Sequence, residues 1–530
     1  MAIATTTTST TTTTFALFAE ENHHLLPAPS ESGFSFPQVY RAYLACRRSK
    51  RNKPSALAFE LNHEENLVAL VDELRERRYR PSTSVCFYTQ KPKAREIFAA
   101  AFRDRIVHHL VYHALAPVWE RIFIHHSYAC RPNKGTHAAA FALQHFLRQA
   151  TANGRRRAFF LKMDIHNFFM AIDRRKLFEM LAARCGDPEL LWLLRVILFH
   201  EPTLDFEMQD RENLRHNLPP HKSLFHARPF CGLPIGNLTS QFFANVYLNA
   251  LDQFIKHHLK CRHYLRYVDD FVLLHREAAQ VHEWQAAISN FAAENLALAI
   301  NERATRLAPV AGGVDFAGFI VRPGYLLVRR RVMGNLKTQL RQARRQLVCR
   351  APTYHAFRFH AETLEKLAAT VNSYLGHFKH AQTRRCLKKL WRNFSFLSKF
   401  FIVSSDKLTR IDKPLQNKIT LKQQVRWLER QFASHLCLIE VGCYFEAYDR
   451  SAQQLAQALG LKLQPRWRGF AYGCGFPRRF LPKILAQLKK QRAPVVVVRE
   501  TGRELYKTKE RSIYLILEYP QEEDGQENAN

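Results

Sequence analysis

The sequence predicts an α+β fold with more than one domain. Its 530 residues exceed what a single core usually organises, at roughly 150 residues per domain, and an apolar share of 47% supports globular folding. Basic helical stretches flank shorter apolar runs that are rich in strand-forming residues. The 79 Lys and Arg residues outnumber the 46 Asp and Glu residues, and this formal charge of +33 predicts a polyanionic partner, most commonly nucleic acid.

Composition also excludes several classes of protein. No apolar run reaches the roughly 18 residues needed to span a bilayer, so we expect a soluble protein with no membrane partner. The Thr-rich segment 1–35 lacks the features of a secretory signal and is predicted to be a disordered tail. The 11 cysteines include no CxxC pair, which favours reduced thiols in a cytoplasmic protein.

The first part of the chain places a strand and a helix around a loop. Residues 36–150 have a mostly helical, basic pattern, and the apolar run at 156–165, RRAFFLKMDI, is a strand candidate that closes with an acid at Asp164. The Pro-containing segment 213–230 is predicted to be a loop. Behind it, Thr239 and Ser240 are candidate caps of an apolar helix.

The remaining elements follow from periodicity and composition. The run RYVDDFVLL at 266–274 reads as a strand hairpin, and a helix is expected around 280–297 before a strand pair at 312–328. Apolar residues then repeat on one helical face with basic residues on the others. The predicted segments after the hairpin region are helices at 326–400, a linker at 401–429, a small α/β domain at 430–520 and a disordered acidic tail at 521–530.

Three carboxylates are the candidate catalytic residues. Asp269 and Asp270 lie between apolar strand residues, and Asp164 ends a second strand. An adjacent pair of acids is often only a turn, but a turn needs no apolar residues on both sides, and like charges in an apolar hairpin call for cations. Acids at two strand ends suit a two-metal phosphoryl-transfer site that holds Mg2+, with Mn2+ as a substitute.

The sequence resembles reverse transcriptases over about 36–400. YVDD at 267–270 resembles their active-site box, DIHNFF at 164–169 their first catalytic motif, LPIGNLTSQ at 233–241 their substrate-pocket motif and VDFAGF at 314–319 their primer grip. The resemblance implies a right-hand polymerase, with fingers and palm at 36–325 and the thumb at 326–400. It also implies an RNA template, a DNA product or primer and deoxynucleoside triphosphates as partners, and Ile165 as a further metal ligand.

The same resemblance identifies candidate nucleotide-binding residues. Phe169 corresponds to the steric gate against a ribonucleotide 2′-hydroxyl, although it could equally be a core aromatic like its neighbour. In the pocket motif the candidates are Ile235, Gly236 and Gln241. Basic residues that could hold the triphosphate or the template, or could be solvated charges, are Lys93, Arg95, Arg105 and Arg131, with Arg95 and Arg131 ranked first.

The pocket motif also indicates a subclass. Ile235 stands before Gly236 where group II intron and retroviral enzymes usually have Gln, and this pattern resembles the enzymes of diversity-generating retroelements and related unassigned bacterial groups. An apolar side chain cannot hydrogen-bond the incoming nucleotide as Gln can, so we expect the enzyme to select nucleotides loosely. A defence-associated reverse transcriptase with unusual priming or templating, a non-catalytic nucleic-acid-binding protein and dependence on an accessory protein remain alternatives.

The C-terminal part resembles a different family. Residues 430–520 are similar to the N-terminal mismatch-recognition domain of the DNA repair protein MutS, whose aromatic-x-Glu element corresponds here to Tyr444 and Glu446. The resemblance implies a ring that wedges beside a mispaired base and a Glu that hydrogen-bonds to it. The alternative is that the aromatic residues pack a core and that Glu446 is a surface acid. No GxxxxGK[ST] phosphate loop is present, so only a DNA-binding module is expected.

Overall fold

The computed structural model describes residues 33–48, 53–89, 94–209, 218–404, 406–505 and 508–520. The predicted tails at 1–32 and 521–530, the start of the predicted loop at 213–217 and the candidate Lys93 lie outside these residues. The chain folds as two compact units, Met1–Tyr325 and Leu326–Asn530, and the division falls where the predicted palm ends. Both units combine helices with strands, as the sequence predicts for an α+β chain.

The helices of the first unit build most of its core. Their apolar faces pack onto β3 and onto the long helix α9, which is buried on nearly every side. The helices are α1 Phe36–Arg47, α2 Pro54–Glu60, α3 His63–Arg75, α4 Phe102–Ile122, α5 Thr136–Ala150, α6 Phe168–Ala171, α7 Arg174–Ala182, α8 Pro188–Phe199, α9 Leu238–Gln253 and α10 Ala278–Leu296.

The strands of the first unit place the acids at one end of a sheet. They are β1 Ser84–Thr89, β2 Arg95–Ala99, β3 Phe159–Met163, β4 Phe206–Met208, β5 His263–Tyr267, β6 Asp270–His275, β7 Arg306–Pro309, β8 Val314–Phe316 and β9 Phe319–Val321. The central sheet is antiparallel with the order β5-β6-β3-β7. Met163 faces Phe271 across β3 and β6, so the continued register brings Asp164 opposite Asp270.

The start of α9 differs from the prediction. The capping position is Asn237, and Thr239 and Ser240 are buried within the helix itself. The Asn237 side-chain oxygen accepts a hydrogen bond from the Ala100 amide at 3.3 Å, and the Thr239 hydroxyl lies 2.8 Å from His108 Nδ1. These polar residues therefore tie the helix start to its neighbours instead of satisfying the first turn of the helix.

The second unit contains one long sheet. Its strands are β10 Leu326–Val328, β11 Val348–Ala351, β12 Tyr354–Arg358, β13 Phe401–Val403, β14 Leu408–Arg410, β15 Leu436–Val441, β16 Tyr444–Tyr448, β17 Gln464–Pro465, β18 Tyr472–Pro477, β19 Val495–Leu505 and β20 Thr508–Glu518. Eight of them form a sheet with the order β11-β12-β20-β19-β15-β16-β18-β17. Its helices are α11 Arg330–Leu347, α12 Ala361–Phe378, α13 Arg384–Asn393, α14 Lys413–Gln416, α15 Leu421–Gln431, α16 Asp449–Leu459 and α17 Leu481–Lys490.

This sheet changes the predicted division of the C-terminal half. The region predicted as helical, 326–400, contains the hairpin β11–β12, and Phe357 of that hairpin pairs with Ile516. The predicted linker, 401–429, forms β13, β14, α14 and most of α15, and its Leu415 and Leu428 are buried in the same core as Leu336 and Ile516. The predicted helical, linker and α/β segments therefore share one core, because apolar residues of each are needed to cover the sheet.

Candidate active site

A strained turn places the paired acids. β5 and β6 form a hairpin in which Tyr267 faces Asp270, so Val268 and Asp269 make the turn. Val268 has a φ of 57°, in the left-handed region that β-branched residues rarely occupy. The turn therefore needs support from its surroundings to keep Asp269 in place.

That support is a fully buried ion pair directly before the turn. The side chains of Arg266 and Asp252 are both 0% exposed, and Arg266 Nη2 lies 2.6 Å from Asp252 Oδ2. Arg266 Nη1 donates to the Val268 carbonyl at 2.9 Å and to Asn245 Oδ1 at 3.1 Å. Tyr264 donates its hydroxyl to Asp252 Oδ1 at 2.6 Å. The guanidinium thus connects the left-handed residue of the turn to α9.

The three acids lie close enough to interact. The pKa of Asp269 is raised to about 6, mainly by burial and then by the neighbouring charges of Asp164 and Asp270. Lys162 Nζ lies 3.2 Å from Asp270 Oδ1, and Asn301 donates its side-chain amide to Asp164 Oδ2 at 3.1 Å. A buried carboxylate repelled by two others is a site whose charge a cation would neutralise.

The donor set fits a hard cation such as Mg2+, since carboxylate oxygens are its preferred protein ligands. Within the described parts of the chain, however, no three His, Cys, Asp or Glu side chains close around a single point, and Asp270 pairs with Lys162 instead. Ile165 has a buried apolar side chain, so only its main-chain carbonyl could be a ligand. Ile165 faces Ile300, and the main-chain hydrogen bonds between the two segments are made by the neighbours of Ile165. The Asp164 carbonyl accepts from the Asn301 amide, and the His166 amide donates to the Ala299 carbonyl.

Comparison with known proteins identifies this region. Residues 89–321 match the family model described as "Reverse transcriptase (RNA-dependent DNA polymerase)". The chain contains a reverse transcriptase domain. The predicted enzyme class, RNA-directed DNA polymerase, is thereby confirmed, together with the resemblance to reverse transcriptases over these residues.

Two bacterial relatives are similar to a part of the chain. Protein YkfC of Escherichia coli (strain K12) is 25% identical over 286 residues, which cover 48% of this chain and 70% of the relative. Group II intron-encoded protein LtrA of Lactococcus lactis subsp. cremoris is 23% identical over 228 residues, covering 41% of this chain and 34% of that protein. The chain therefore spans about a third of the LtrA relative.

In the reverse transcriptase domain, the pocket motif is fixed to β2. The Phe98 amide donates to the Ile235 carbonyl at 3.0 Å. Gly236 has a φ of 132°, and a Cβ there would lie 2.9 Å from the Phe98 carbonyl oxygen, so only glycine fits this close approach. Gln241 is exposed, and its side-chain oxygen accepts from Cys130 Sγ at 3.1 Å, a contact that the sequence did not reveal.

The two phenylalanines after the first acid have different environments. Phe168 is buried, whereas Phe169 is only partly buried and packs edge-on against it, with the ring centroids 5.5 Å apart. The Phe169 carbonyl accepts from the Leu233 amide at 2.8 Å, which joins this segment to the pocket motif. Phe168 is thus the core aromatic, and Phe169 keeps the exposure that a steric gate requires.

The basic candidates divide into one near the acids and two that are engaged elsewhere. Arg95 is exposed on β2, and its charge lowers the pKa of Asp269, although less than burial raises it. Arg105 Nε donates to the Ala100 carbonyl at 2.7 Å. Arg131 is 6% exposed, pairs with Glu120 at 2.8 Å and donates to two main-chain carbonyls. The high ranking of Arg131 is not supported, because these contacts enclose its guanidinium.

Sequence reasoning missed the residues that support the acids. From the sequence, Lys162 would be assigned to the exposed face of β3, because it lies between apolar strand residues. Asp252 would be assigned to the surface of a helix. The available signal was that α9 has apolar residues on nearly every side, so an acid such as Asp252 within it needs a buried partner. Arg266 could have been recognised from its place between Tyr264 and Tyr267 in an apolar strand, where a charge needs a partner.

The two candidates of the second unit lie on one face of β16. Tyr444 is 45% exposed at the start of the strand. Glu446 is 3% exposed, accepts from the Tyr448 hydroxyl at 2.6 Å and from Trp467 Nε1 at 3.0 Å, and forms an ion pair with Arg468, whose Nε lies 3.0 Å away. The alternative holds for Phe445, which is buried in the core, but Tyr444 is exposed and Glu446 is not on the surface. All three contacts use Glu446 Oε2, so a hydrogen bond between that oxygen and a base would compete with them.

Among the described residues, no helix is both long and apolar enough to cross a bilayer.

Proposed function

We propose that this chain copies an RNA template into cDNA by two-metal nucleotidyl transfer, with Asp164, Asp269 and Asp270 as the catalytic acids. The observation that carries the proposal is the register of β3 and β6, which brings Asp164 opposite Asp270 beside a partly buried Asp269 whose pKa is raised by burial and by these two acids. Two bound Mg2+ ions would lower the pKa of the attacking 3′-hydroxyl and neutralise the departing pyrophosphate.

The other residues position the substrates around these acids. Arg95 supplies an exposed positive charge near Asp269 and would hold a phosphate of the incoming deoxynucleotide. Phe169 would contact the sugar, and the main chain at Gly236 would line the nucleotide site from the β2 side. The excess of basic residues over acidic ones favours the RNA template and the DNA primer as partners. We also propose a cytoplasmic location.

The decisive experiment is primer extension by Asp269→Asn on an RNA template. We expect extension to be abolished while template binding stays near normal, because affinity depends mainly on basic contacts with phosphate. Asp72→Asn, which changes an exposed Asp of α3, is the matched control and should retain full extension. Full extension by Asp269→Asn would refute the metal-site proposal. Failure of the unmodified chain to extend a primer would instead favour a non-catalytic role.

For the biological role, we propose a diversity-generating retroelement. Ile235 supports this, because its apolar side chain offers no hydrogen bond for selecting the base. A repeat pair in the neighbouring DNA that differs mainly at adenines would support the proposal. Sequencing cDNA made by the purified protein from its bound RNA would test it: accurate copying of adenines would favour the defence-associated alternative.

For the second unit, we propose that Tyr444 stacks on a base of distorted duplex DNA, as the resemblance to MutS suggests. Its exposure supports the proposal. Because residues 430–520 share their core with 326–429, the test uses the full chain. Mismatched or bulged duplex should compete better than matched duplex for binding, and Tyr444→Ala should remove this preference. Equal competition by both duplexes with the unmodified chain would refute it.

A further inference from the structure

A loop at the edge of the long sheet presents two arginines on a rigid base. Residues 466–471, here called the arginine loop, connect β17 to β18, where Pro465 pairs with Tyr472. Inside the loop the Arg466 amide donates to the Ala471 carbonyl at 2.9 Å, which closes it at its base. β17 is the outermost strand of the sheet, so the loop projects from an edge.

The backbone of the arginine loop is strained. Arg466 has a φ of 53°, Arg468 of 49° and Gly469 of 81°. Glycine adopts such angles freely, whereas each arginine meets a steric penalty. Strained residues persist only where their surroundings hold them, and they concentrate at functional sites.

Glu446 holds the loop from beneath. Its buried carboxylate accepts from Trp467 Nε1 at 3.0 Å and forms an ion pair with Arg468, whose Nε lies 3.0 Å away. The Trp467 ring lies directly against Gly473, where an added Cβ would be 2.4 Å from the ring. Asp449 completes the support by accepting from the Ala471 and Tyr472 amides at 2.9 and 3.2 Å.

The outer surface of the loop combines positive charge with an aromatic ring. Arg466 is exposed, Arg468 is 49% exposed although it pairs with Glu446, and Tyr472 is 40% exposed. The two acids nearest to the loop, Glu446 and Asp449, are occupied by the contacts that hold it. Guanidinium groups bind phosphate in a bidentate manner, and exposed tyrosines stack on unpaired bases.

We propose that the arginine loop binds single-stranded nucleic acid, with phosphates on Arg466 and Arg468 and a base on Tyr472. Glu446 then acts by holding Arg468 and Trp467, not by reading a base. The site differs from Tyr444: Tyr444 faces Pro477 while Tyr448 faces Gly473, so the loop and Tyr444 lie at opposite ends of β16. Four residues of strand separate them by about 13 Å.

Photo-crosslinking locates the contact without depending on total affinity. The full chain is irradiated with a single-stranded oligothymidine that carries bromodeoxyuridine, and the crosslinked peptides are identified by mass spectrometry. We expect crosslinks at Trp467 or Tyr472, and an excess of unlabelled single strand should remove them more effectively than an excess of duplex. The absence of crosslinks in 465–472, or equal removal by duplex, would overturn the proposal.

The salt dependence of binding tests the charges. Arg466→Gln removes one proposed phosphate contact, so the slope of log K against log salt for the oligothymidine should fall by about one. The matched control is Arg492→Gln, another exposed arginine with positive φ (52°), which should leave the slope unchanged. An unchanged slope for Arg466→Gln, or an equal fall for the control, would contradict the assignment.

Glu446→Gln tests how the loop is held. It removes the charge that pairs with Arg468 and should lower the same slope by about one if Arg468 then leaves the site. A purely structural role would change stability without changing the slope. Extension on a short, fully paired primer and template should stay normal in every loop variant, so failure of this proposal is distinguishable from failure of the polymerase proposal.

Discussion

Breaking the buried Arg266–Asp252 pair should separate the stability of the first unit from its activity. Asp252 accepts from Arg266 Nε at 2.8 and 3.1 Å and from Nη2 at 2.6 Å. Asp252→Asn removes the charge and turns a donor toward the guanidinium. Loss of one partner of a buried pair typically costs about 3–5 kcal/mol, because the other charge stays buried and unpaired.

Adding Arg266→Met to Asp252→Asn removes the buried, unpaired charge of Arg266, so most of the lost free energy of unfolding should return. Activity should not return, because the double variant has also lost the Arg266 donor to the Val268 carbonyl. A Val in the left-handed conformation is disfavoured by about 1–2 kcal/mol, so the turn should relax when its support is removed. If restoring the active turn adds this amount to the activation free energy, the extension rate should fall about 5–30-fold.

The two quantities need separate assays. Hydrogen exchange of peptides from 261–275, followed by mass spectrometry at increasing urea concentration, gives the local free energy of opening. Single-turnover primer extension gives the rate of nucleotide addition. A loss below about 1 kcal/mol in Asp252→Asn would refute the reasoning about the buried charge. A full extension rate in the folded double variant would refute the role of Arg266 in holding the turn.

Three further perturbations give distinct results. Phe169→Ala should raise ribonucleotide incorporation relative to deoxyribonucleotide incorporation, and an unchanged ratio in active enzyme would make Phe169 a packing residue. Ile235→Gln should lower the error rate of cDNA synthesis, while the apolar control Ile235→Leu should not; equal error rates would contradict the selection argument. Burial lowers the pKa of His108 to about 3, so the unfolded chain binds its proton first and stability falls as the pH drops below 6.5. At pH 5 this group should lower the free energy of unfolding by about 2 kcal/mol, and urea unfolding of His108→Asn should not show this loss. Identical pH profiles of the unfolding free energy in the variant and the unmodified chain would refute the assignment.

The acids were predictable from the sequence because their pattern is local. A carboxylate that ends an apolar strand can be recognised from its neighbours in the chain, and this holds for Asp164 and Asp270. The contacts that hold them depend on how separate elements pack, since Arg266 meets Asp252 only because β5 packs on α9. In the same way, Arg131 is enclosed by Glu120 of α4. Residue type alone therefore could not separate Arg95, which is exposed, from Arg131, which is buried.

The second unit shows a different limit. Helical periodicity correctly predicted α11, whose Leu336, Leu340, Ala343 and Leu347 are buried on one face. It missed the hairpin β11–β12, because a strand that completes a sheet is defined by its partner and not by its own sequence. The burial of Glu446 was missed for a similar reason, since Trp467 and Arg468 reach it from a loop some twenty residues away.

The pairing of β12 with β20 has a consequence for biosynthesis. Residue 355 meets residue 518, so the sheet cannot close until almost the whole chain has left the ribosome. The first unit can fold during translation, whereas α11, β11 and β12 must wait with their apolar faces uncovered. Contacts over such long sequence separations also slow folding. Any shortened product that ends before 508 would leave β12 and β19 as unpaired edges, and we expect such products to aggregate or be degraded.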